Sequence, residues 1–459
     1  MNWLLFIIGL PALLWAATPL QLPEVLGSVR ERYPPLLIAL IERDVAAGRV
    51  RQVAGAFDLG VALRFGMVPQ GYYDGSTREV SLEQRLPFWG GNLFAGYRQS
   101  SGLLADYDRD RTQRDGEFRA GIRFSLLRDG VIDQPRADLL KAKLDLGLVD
   151  PFVDRQRLDI VRVATRAYYQ WVTAGLREQV AREQLKVADD RAAGLTEQAQ
   201  KGSLAPIVVI DNERLIVSRQ LAVSQARRRV EAAALELSLF LRGPDDQPIT
   251  PASDRLPKTL PVTELPADLG DVTALDVTAE RRHELRRIRL LRDKVEVDRR
   301  LADNATLPNL DLTLGVTRNQ GAGPYTDLPR DEMRLGVGMR IPLQRNEAKG
   351  LLKIAESQLR SLDQDLHFVR DRIRVEVKDG WSALTAAREQ LGLARRNIEL
   401  AQILVDAEQL RFRQGAGDLL SLQLREQALL EARFAELATT ADFFMALADY
   451  QAATAVELL

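Results

Sequence analysis

The chain has 459 residues, with 63 basic and 64 acidic side chains, so its formal net charge is −1. This balance argues against nucleic-acid binding, which normally shows a basic excess on one face. The absence of cysteine excludes disulfides, thiol catalysis and lipid attachment through cysteine. Only two histidines occur, His283 and His367, and the sequence contains no Gly-rich phosphate loop and no metal-spaced cluster. We therefore expect no enzyme activity, no catalytic residue, no cofactor and no bound metal.

An apolar run at residues 3–17 opens the chain and is followed by polar residues. It is too short to cross a membrane as a helix, and it ends in small residues, as a secretory signal does. No Lys or Arg precedes the run, so a buried N-terminal helix remains the alternative. We expect residues 1–17 to be a signal peptide cleaved near Ala16 or Ala17, and residues 18–54 to form an N-terminal periplasmic helix.

Alternating apolar and polar residues predict β-strands in two parts of the chain, 55–127 and 308–343. In residues 57–67 every second side chain is apolar, which is typical of a strand with two different faces. The same alternation recurs in four further segments: 80–86, 118–126, 310–316 and 333–341. Each segment is near the length of about 9–11 residues that crosses a bilayer as a tilted strand. A soluble antiparallel sheet with one face on a core would show the same pattern.

The number of strands bears on oligomerisation. One chain offers four to six strands, whereas lipid tolerates no open sheet edge and membrane barrels have at least about eight strands. Membrane insertion would therefore require several copies to share one barrel. Residues 92–98 and 100–115 have no counterpart in the second group of strands, so they predict an extra hairpin or a long external loop.

Two segments, 128–242 and 344–458, predict long helical hairpins. The second contains no proline over the 69 residues from 346 to 414, which as one helix would be about 100 Å long. Apolar residues in both segments are spaced three and four apart, as in a coiled-coil seam. Each hairpin is broken once by a glycine turn, at Gly202 and at Gly415.

The chain also carries an internal duplication. The sequence GIRFSLLRDG at 121–130 returns as GMRIPLQRNE at 338–347, and in both places a strand precedes a long hairpin. A linker at 243–279 joins the two copies, and a helix is expected at 280–307. Pro151 predicts a kink in the first arm or a junction between two helices.

Four short motifs connect this architecture to a known family. Residues 281–285 (RRHEL) are similar to an Arg-Pro-Glu-Leu motif, with His283 in place of the proline. Residues 307–310 (LPNL) resemble a proline-led start of a β-segment, and 411–415 (RFRQG) an Arg-aromatic-x-x-Gly turn. Residues 202–206 (GSLAP) are similar to the corresponding first turn, without its Arg and aromatic residue. In this order, the chain resembles the TolC-like outer-membrane efflux proteins over nearly its whole length.

The resemblance implies a mixed α+β membrane protein. Three protomers would combine antiparallel strands into one outer-membrane β-barrel, and twelve long coiled-coil helices into an α-barrel in the periplasm of a Gram-negative cell. This homotrimer would be a passive exit duct of an efflux or secretion system, serving a periplasmic adaptor (membrane fusion protein) and an inner-membrane pump. The residues implied to contact the adaptor are those of the glycine turns: Gly202, Ser203, Leu204, Ala205, Arg411, Gly415, Ala416 and Gly417.

The tunnel entrance departs from the family pattern. Family tunnels often close on rings of aspartate shortly after the second turn, where this chain has Ser421 and Leu424. The nearest acids, Asp418 and Asp211, are the candidates for a tunnel entrance. An ordinary alternative for Asp418 is the N-cap of the following helix.

The polar strand faces predict a basic pore. Against three acids, Asp58, Glu83 and Asp311, these faces carry seven arginines: Arg64, Arg85, Arg98, Arg119, Arg123, Arg334 and Arg340. Charged rings tune pore selectivity, so an anion preference is expected unless the arginines pair within the wall or are held by lipid headgroups at the rim.

A second function stays open at this point. A soluble periplasmic coiled-coil scaffold, or an adaptor that does not span the membrane, would also carry long hairpins. Two equivalent hairpins interleaved with strands favour the channel.

Overall fold

The computed structural model describes residues 18–104, 110–261, 280, 282–323, 325 and 327–455, so the predicted signal peptide and much of the linker lie outside the described residues. The chain forms two compact units. The helical unit consists of Met1–Ala39, Val153–Arg282 and Asp371–Leu459, and the sheet unit consists of Leu40–Phe152 and His283–Arg370.

The order of helices and strands repeats the pattern of strands, long helix, turn and long helix. The elements are α1 (Leu22–Arg32), α2 (Pro34–Ala54), β1 (Gly60–Met67), β2 (Gly75–Arg85), β3 (Asn92–Gly102), β4 (Glu117–Ser125), α3 (Gln134–Gln200), α4 (Pro206–Ser238), α5 (His283–Asn304), β5 (Asn309–Asn319), β6 (Asp331–Arg340), α6 (Asn346–Arg413) and α7 (Leu419–Ala453). The predicted mixed class and internal duplication are confirmed. Among the described residues, no helix is both long and apolar enough to cross a membrane.

The strands form one antiparallel sheet in the order β1-β2-β3-β4-β5-β6. Each strand pairs with its neighbour in sequence, which leaves β1 and β6 at the edges. The first copy contributes β1 to β4 and the second copy β5 and β6. Residues 92–98, for which an extra hairpin or loop was predicted, lie in β3 within the sheet.

The N-terminal segment 18–54 was predicted as one helix, and this is wrong. α1 ends at Arg32 and α2 begins at Pro34, because Tyr33 between them is extended, with φ −78° and ψ 114°. Proline disfavours helical geometry in the residue before it, and its ring fixes φ at a value suited to a first helical turn.

Pro151 lies inside α3 and does not end the helix, which excludes a junction between two helices, one of the two predicted alternatives. An internal proline removes one main-chain hydrogen bond, and α3 forms despite this loss over 67 residues. The two compact units divide the chain just after Pro151, following Phe152.

The core of the helical unit forms where α1 packs against α3 and α4. Leu20, Trp171 and Leu237 are fully buried there. The Tyr168 hydroxyl donates a hydrogen bond to the main-chain oxygen of Leu20 at 3.0 Å, and burial raises the pKa of Tyr168 to about 12. Apolar burial of this kind is the main stabilising contribution in a packed helical region.

The end of α7 is fixed by Arg282, which belongs to the RRHEL motif. This side chain is 4% exposed, and it donates to the main-chain oxygens of Ala453 at 2.7 Å and Ala452 at 3.3 Å. It also pairs with Glu376 on α6 at 3.0 Å. An arginine at a helix C-terminus satisfies carbonyl groups that have no partner within the helix.

In the sheet unit, ion pairs join α5 to α3. Lys141 on α3 contacts Asp298 at 3.0 Å, and Lys294 on α5 contacts Asp145 at 2.6 Å. These pairs are partly exposed, so each contributes little stability and mainly fixes which residues face each other.

Candidate functional site: hairpin tips and sheet faces

The first hairpin tip, residues 202–205, is a glycine turn between α3 and α4. Gly202 has φ 73°, a left-handed backbone conformation that residues with a side chain rarely adopt. Its amide donates to the Ala199 oxygen at 3.0 Å, and the Ser203 amide donates to the Gln198 oxygen at 3.0 Å. This pattern is a Schellman motif, which satisfies the last carbonyls of α3. Gly202, Ser203 and Ala205 are exposed and Leu204 is half-buried.

The second hairpin tip, residues 411–417, has the same backbone geometry. Gly415 has φ 71°, and the Ala416 amide donates to the Arg411 oxygen at 2.9 Å. The Arg411 guanidinium donates to the Ala416 oxygen at 3.3 Å and pairs with Glu408 at 3.4 Å. Gly417 lies close against Glu408, since a Cβ built there would be 2.8 Å from its Oε1. The side chain of Arg411 therefore stabilises the second turn. The first tip has no corresponding arginine, and its turn forms through main-chain hydrogen bonds.

Both tips are followed by apolar side chains whose exposure the sequence analysis did not predict. Ile207 and Ile210 at the start of α4 are 59% and 58% exposed. At the start of α7, Leu420 and Leu424 are 66% and 61% exposed. Apolar residues in a coiled-coil pattern are normally assigned to the seam between helices, and only the structure shows that these four point away from it.

The two candidate acids of the tunnel entrance occupy different settings. Asp418 is the N-cap of α7, where its carboxylate accepts hydrogen bonds from the Ser421 amide at 2.8 Å and the Ser421 hydroxyl at 2.8 Å. These bonds, the amide bond first, hold the pKa of Asp418 below its ordinary value. Asp211 is exposed on α4. No hydrogen bond joins Asp211 to Asp418 in the described part of the chain.

The predicted pore arginines lie on one face of the sheet. The register places Arg64 opposite Glu79, Glu79 opposite Arg98, and Arg98 opposite Glu117 across β1 to β4. Arg64 pairs with Glu79 at 3.4 Å, Arg98 pairs with Glu117 at 2.7 Å, and Arg119 also pairs with Glu79. Directly opposed opposite charges of this kind stabilise neighbouring strands.

The predicted count of three acids against the seven arginines is too low. Three further carboxylates, Glu79, Glu117 and Glu332, share the arginine face. Each comes immediately before the first apolar residue used to recognise its strand, so the sequence pattern placed it outside the strand. With Arg334 also paired to Glu332 at 2.6 Å, most of the positive charge on this face is neutralised.

Three arginines on this face form no ion pair with the described residues. Arg85 and Arg123 both lie opposite Asn92 on β3, and Arg340 ends β6. All three lie at the end of the sheet where the chain enters and leaves the helices. The paired arginines 64, 98 and 119 lie nearer the other end.

Residues 110–116 fold over that other end of the polar face. Thr112 and Ser100 of β3 exchange hydrogen bonds, from the Thr112 amide at 2.8 Å and from the Ser100 amide at 3.0 Å. Asp110 pairs with Arg98, and the Gln113 side chain donates to the Tyr325 oxygen at 2.6 Å. The loop predicted at 100–115 is therefore tied to the polar face through its described part.

The opposite face of the sheet is apolar and exposed. In the edge strands its side chains are 60–77% exposed, and no other part of the described chain covers them. These residues are Val61, Leu63, Phe65 and Met67 on β1, and Met333, Leu335, Val337 and Met339 on β6. Patches of this size are rare on soluble monomers and indicate contact with a membrane or a partner.

We predict that Gly415→Ala lowers the free energy of unfolding by about 1 kcal/mol, because a Cβ is disfavoured in the left-handed region. Gly392→Ala in α6 is the matched control, since neither glycine has a neighbouring atom within 4 Å of the added carbon. The control should stabilise the protein by about 0.5–1 kcal/mol, as alanine favours a helix interior. The measurement is the midpoint of thermal unfolding, which should be lower for Gly415→Ala than for Gly392→Ala. Equal midpoints would contradict the left-handed turn at Gly415.

We predict that Asp418→Ala speeds hydrogen exchange of the Ser421 amide, whereas Asp418→Asn preserves its protection, because asparagine also caps helices. The lowered pKa of Asp418 means that its stabilising contribution is complete above the unfolded pKa, about 3.9, and is lost as pH falls through the folded value. Protection in the wild type should therefore fall at acidic pH and stay level in Asp418→Asn. Identical acid profiles would show that Asp418 does not act as the cap.

Comparison with known proteins agrees with this geometry. Residues 274–455 match the outer membrane efflux protein family. No curated protein matches the chain at a significant level of sequence similarity. The outer membrane protein VceC of Vibrio cholerae has a similar structure, with a TM-score of 0.67 and 16% identity over 95% of this chain and 96% of VceC.

Two further solved structures are similar over most of their length. The MtrE outer membrane channel of Neisseria gonorrhoeae gives a TM-score of 0.65 at 16% identity, covering 94% of this chain and 88% of MtrE. CusC gives 0.67 at 16% identity, covering 95% of this chain and 92% of CusC. The predicted resemblance to TolC-like proteins is confirmed, and the prediction that the chain is not an enzyme agrees with a family of channel proteins.

Proposed function

We propose that this chain is a homotrimeric channel-tunnel of the outer membrane. Its residues 274–455 match the outer membrane efflux protein family, and its fold resembles that of TolC-like proteins. It would act as the passive exit duct of a multi-component efflux or secretion system. The observation on which the proposal rests is the exposed apolar face of a sheet with two open edges.

The sheet supports assembly because its edges have no partner within the described chain. Unpaired main-chain groups at a sheet edge are not tolerated in lipid, so β1 of one copy would pair with β6 of the next. Three copies of the six-stranded sheet give eighteen strands, within the range of about 8 to 26 known for bacterial membrane barrels. A barrel of this size encloses a water-filled channel.

The helices support the same assembly. On α4, Val217 and Leu221 are exposed and lie four residues apart. On α6, Leu393, Leu400 and Ile403 are exposed at intervals of seven and three residues. Apolar residues at coiled-coil spacing pack against another helix, and in a trimer α4 of one copy would face α6 of its neighbour.

The tips are the proposed contact surface for the other parts of the export system. Each tip combines a rigid glycine turn with two exposed apolar side chains, Ile207 and Ile210 at the first and Leu420 and Leu424 at the second. A helical hairpin of a periplasmic adaptor, linked to an inner-membrane pump, would cover these side chains. Apolar residues anchored on rigid elements are well suited to such docking.

The soluble scaffold is the less favoured alternative. In water, the apolar side chains of β1 and β6 would stay exposed, and long apolar edge strands lead to aggregation. Cell fractionation distinguishes the two functions. We expect the protein to sediment with the outer membrane and to need detergent for extraction, and release by osmotic shock alone would exclude the channel.

The unpaired arginines would give the pore a weak anion preference at its helix-side end. We predict that replacing Arg85, Arg123 and Arg340 together by glutamine shifts the reversal potential toward cations, because charged rings set selectivity. The measurement is planar-bilayer recording in a KCl gradient.

A neutral control separates unpaired from paired charges. The variant Glu332→Gln with Arg334→Gln removes an ion pair of 2.6 Å and leaves the net charge unchanged. Its reversal potential should equal that of the wild type. An unchanged reversal potential in the triple arginine variant would contradict the proposed pore lining.

A further inference from the structure

A cavity of about 410 Å³ opens between α3, α4 and α7 in the helical unit. One wall is apolar and is formed by Leu430, Phe434 and Met445 of α7. The other walls carry Arg177 of α3 and Arg219 of α4. Apolar walls with a few convergent polar groups are typical of small-molecule sites, which measure about 300–1,000 Å³.

Arg219 is the least expected residue of this cavity. Its side chain is only 8% exposed, yet it forms no hydrogen bond or ion pair with any described residue. Burial lowers the pKa of Arg219, while the negative charges of Glu426 and Glu431 oppose this effect from a distance. Arginine remains charged in proteins, so a largely buried arginine that forms no hydrogen bond or ion pair with the described chain is costly.

Arg177 also has guanidinium hydrogen-bond donors that are not fully satisfied. Its Nε is buried without a hydrogen-bond partner, and a terminal nitrogen donates to the Phe434 main-chain oxygen at 3.3 Å. The guanidinium carbon lies 5.7 Å from the centre of the Phe434 ring. Burial, followed by the nearby charge of Arg229, lowers the pKa of Arg177. Asp442 also lines the cavity and forms no ion pair with Arg177 or Arg219 in the described chain.

We propose that this cavity binds a small organic anion, a carboxylate or sulfonate attached to an aromatic or other apolar body. The anionic group would accept charge-assisted hydrogen bonds from Arg177 and Arg219, which are stronger than hydrogen bonds between neutral groups. The apolar body would pack on Phe434, Leu430 and Met445. The cavity lies within one chain, so the site does not depend on the proposed role as a duct.

The test is calorimetric titration of the purified protein, held in amphipol, with sodium 1-naphthalenesulfonate. Saturable binding of one ligand per chain is expected, and the neutral 1-naphthalenemethanol should bind at least about tenfold more weakly, since it lacks the charge-assisted bonds. Arg177→Gln and Arg219→Gln should each weaken sulfonate binding by about tenfold for the same reason. Arg228→Gln, at an exposed position of α4, is the matched control and should bind as the wild type does.

Two further measurements keep the test independent of folding. Arg219 forms no hydrogen bond or ion pair with the described residues, so thermal unfolding of Arg219→Gln should occur no lower than that of the wild type. Arg177→Lys keeps the charge and loses the planar donor fork, so its affinity should lie between those of wild type and Arg177→Gln. Equal binding of the charged and neutral probes, unchanged affinity in both glutamine variants, or no binding of the sulfonate would each overturn the proposal.

Discussion

The structure depends on the fact that the two faces and the edges of a single sheet require different environments. One face is apolar and exposed in the edge strands, while the other carries paired charges, and both edges are open. Water is a poor environment for the first face, and lipid is a poor environment for open edges. The proposed ring of several copies would satisfy both faces, since it would present the apolar side to lipid, enclose the charged side and pair every edge.

The duplication explains why the chain can serve such a ring. Each copy supplies strands followed by a helical hairpin, and each hairpin ends in a glycine turn with nearly the same φ, 73° at Gly202 and 71° at Gly415. The copies differ in the sheet, because β1 to β4 come from the first and only β5 and β6 from the second. Charge also varies along the polar face. Paired arginines lie near one end, and at the end next to the helices Arg85, Arg123 and Arg340 form no ion pair with the described residues.

Features set by local sequence could be predicted, and features set by distant contacts could not. Alternation identified five of the six strands, all but β3, and glycines 202 and 415 identified the turns, because φ and side-chain period are local properties. The pattern missed Glu79, Glu117 and Glu332, since a strand begins before its first apolar residue. The cavity of Arg177 and Arg219 was also missed, because residues on three helices form it and neither arginine stands out in its own segment.

The most direct test of the shared ring is a cross-link between the two sheet edges. The chain contains no cysteine, so Ala62→Cys on β1 and Gly338→Cys on β6 introduce the only two thiols. Treatment of membranes with a short bismaleimide should yield covalent trimers on a denaturing gel, whereas either cysteine alone should yield none. A product that contains only single chains, linked internally or not at all, would contradict the pairing of β1 with β6 of another copy.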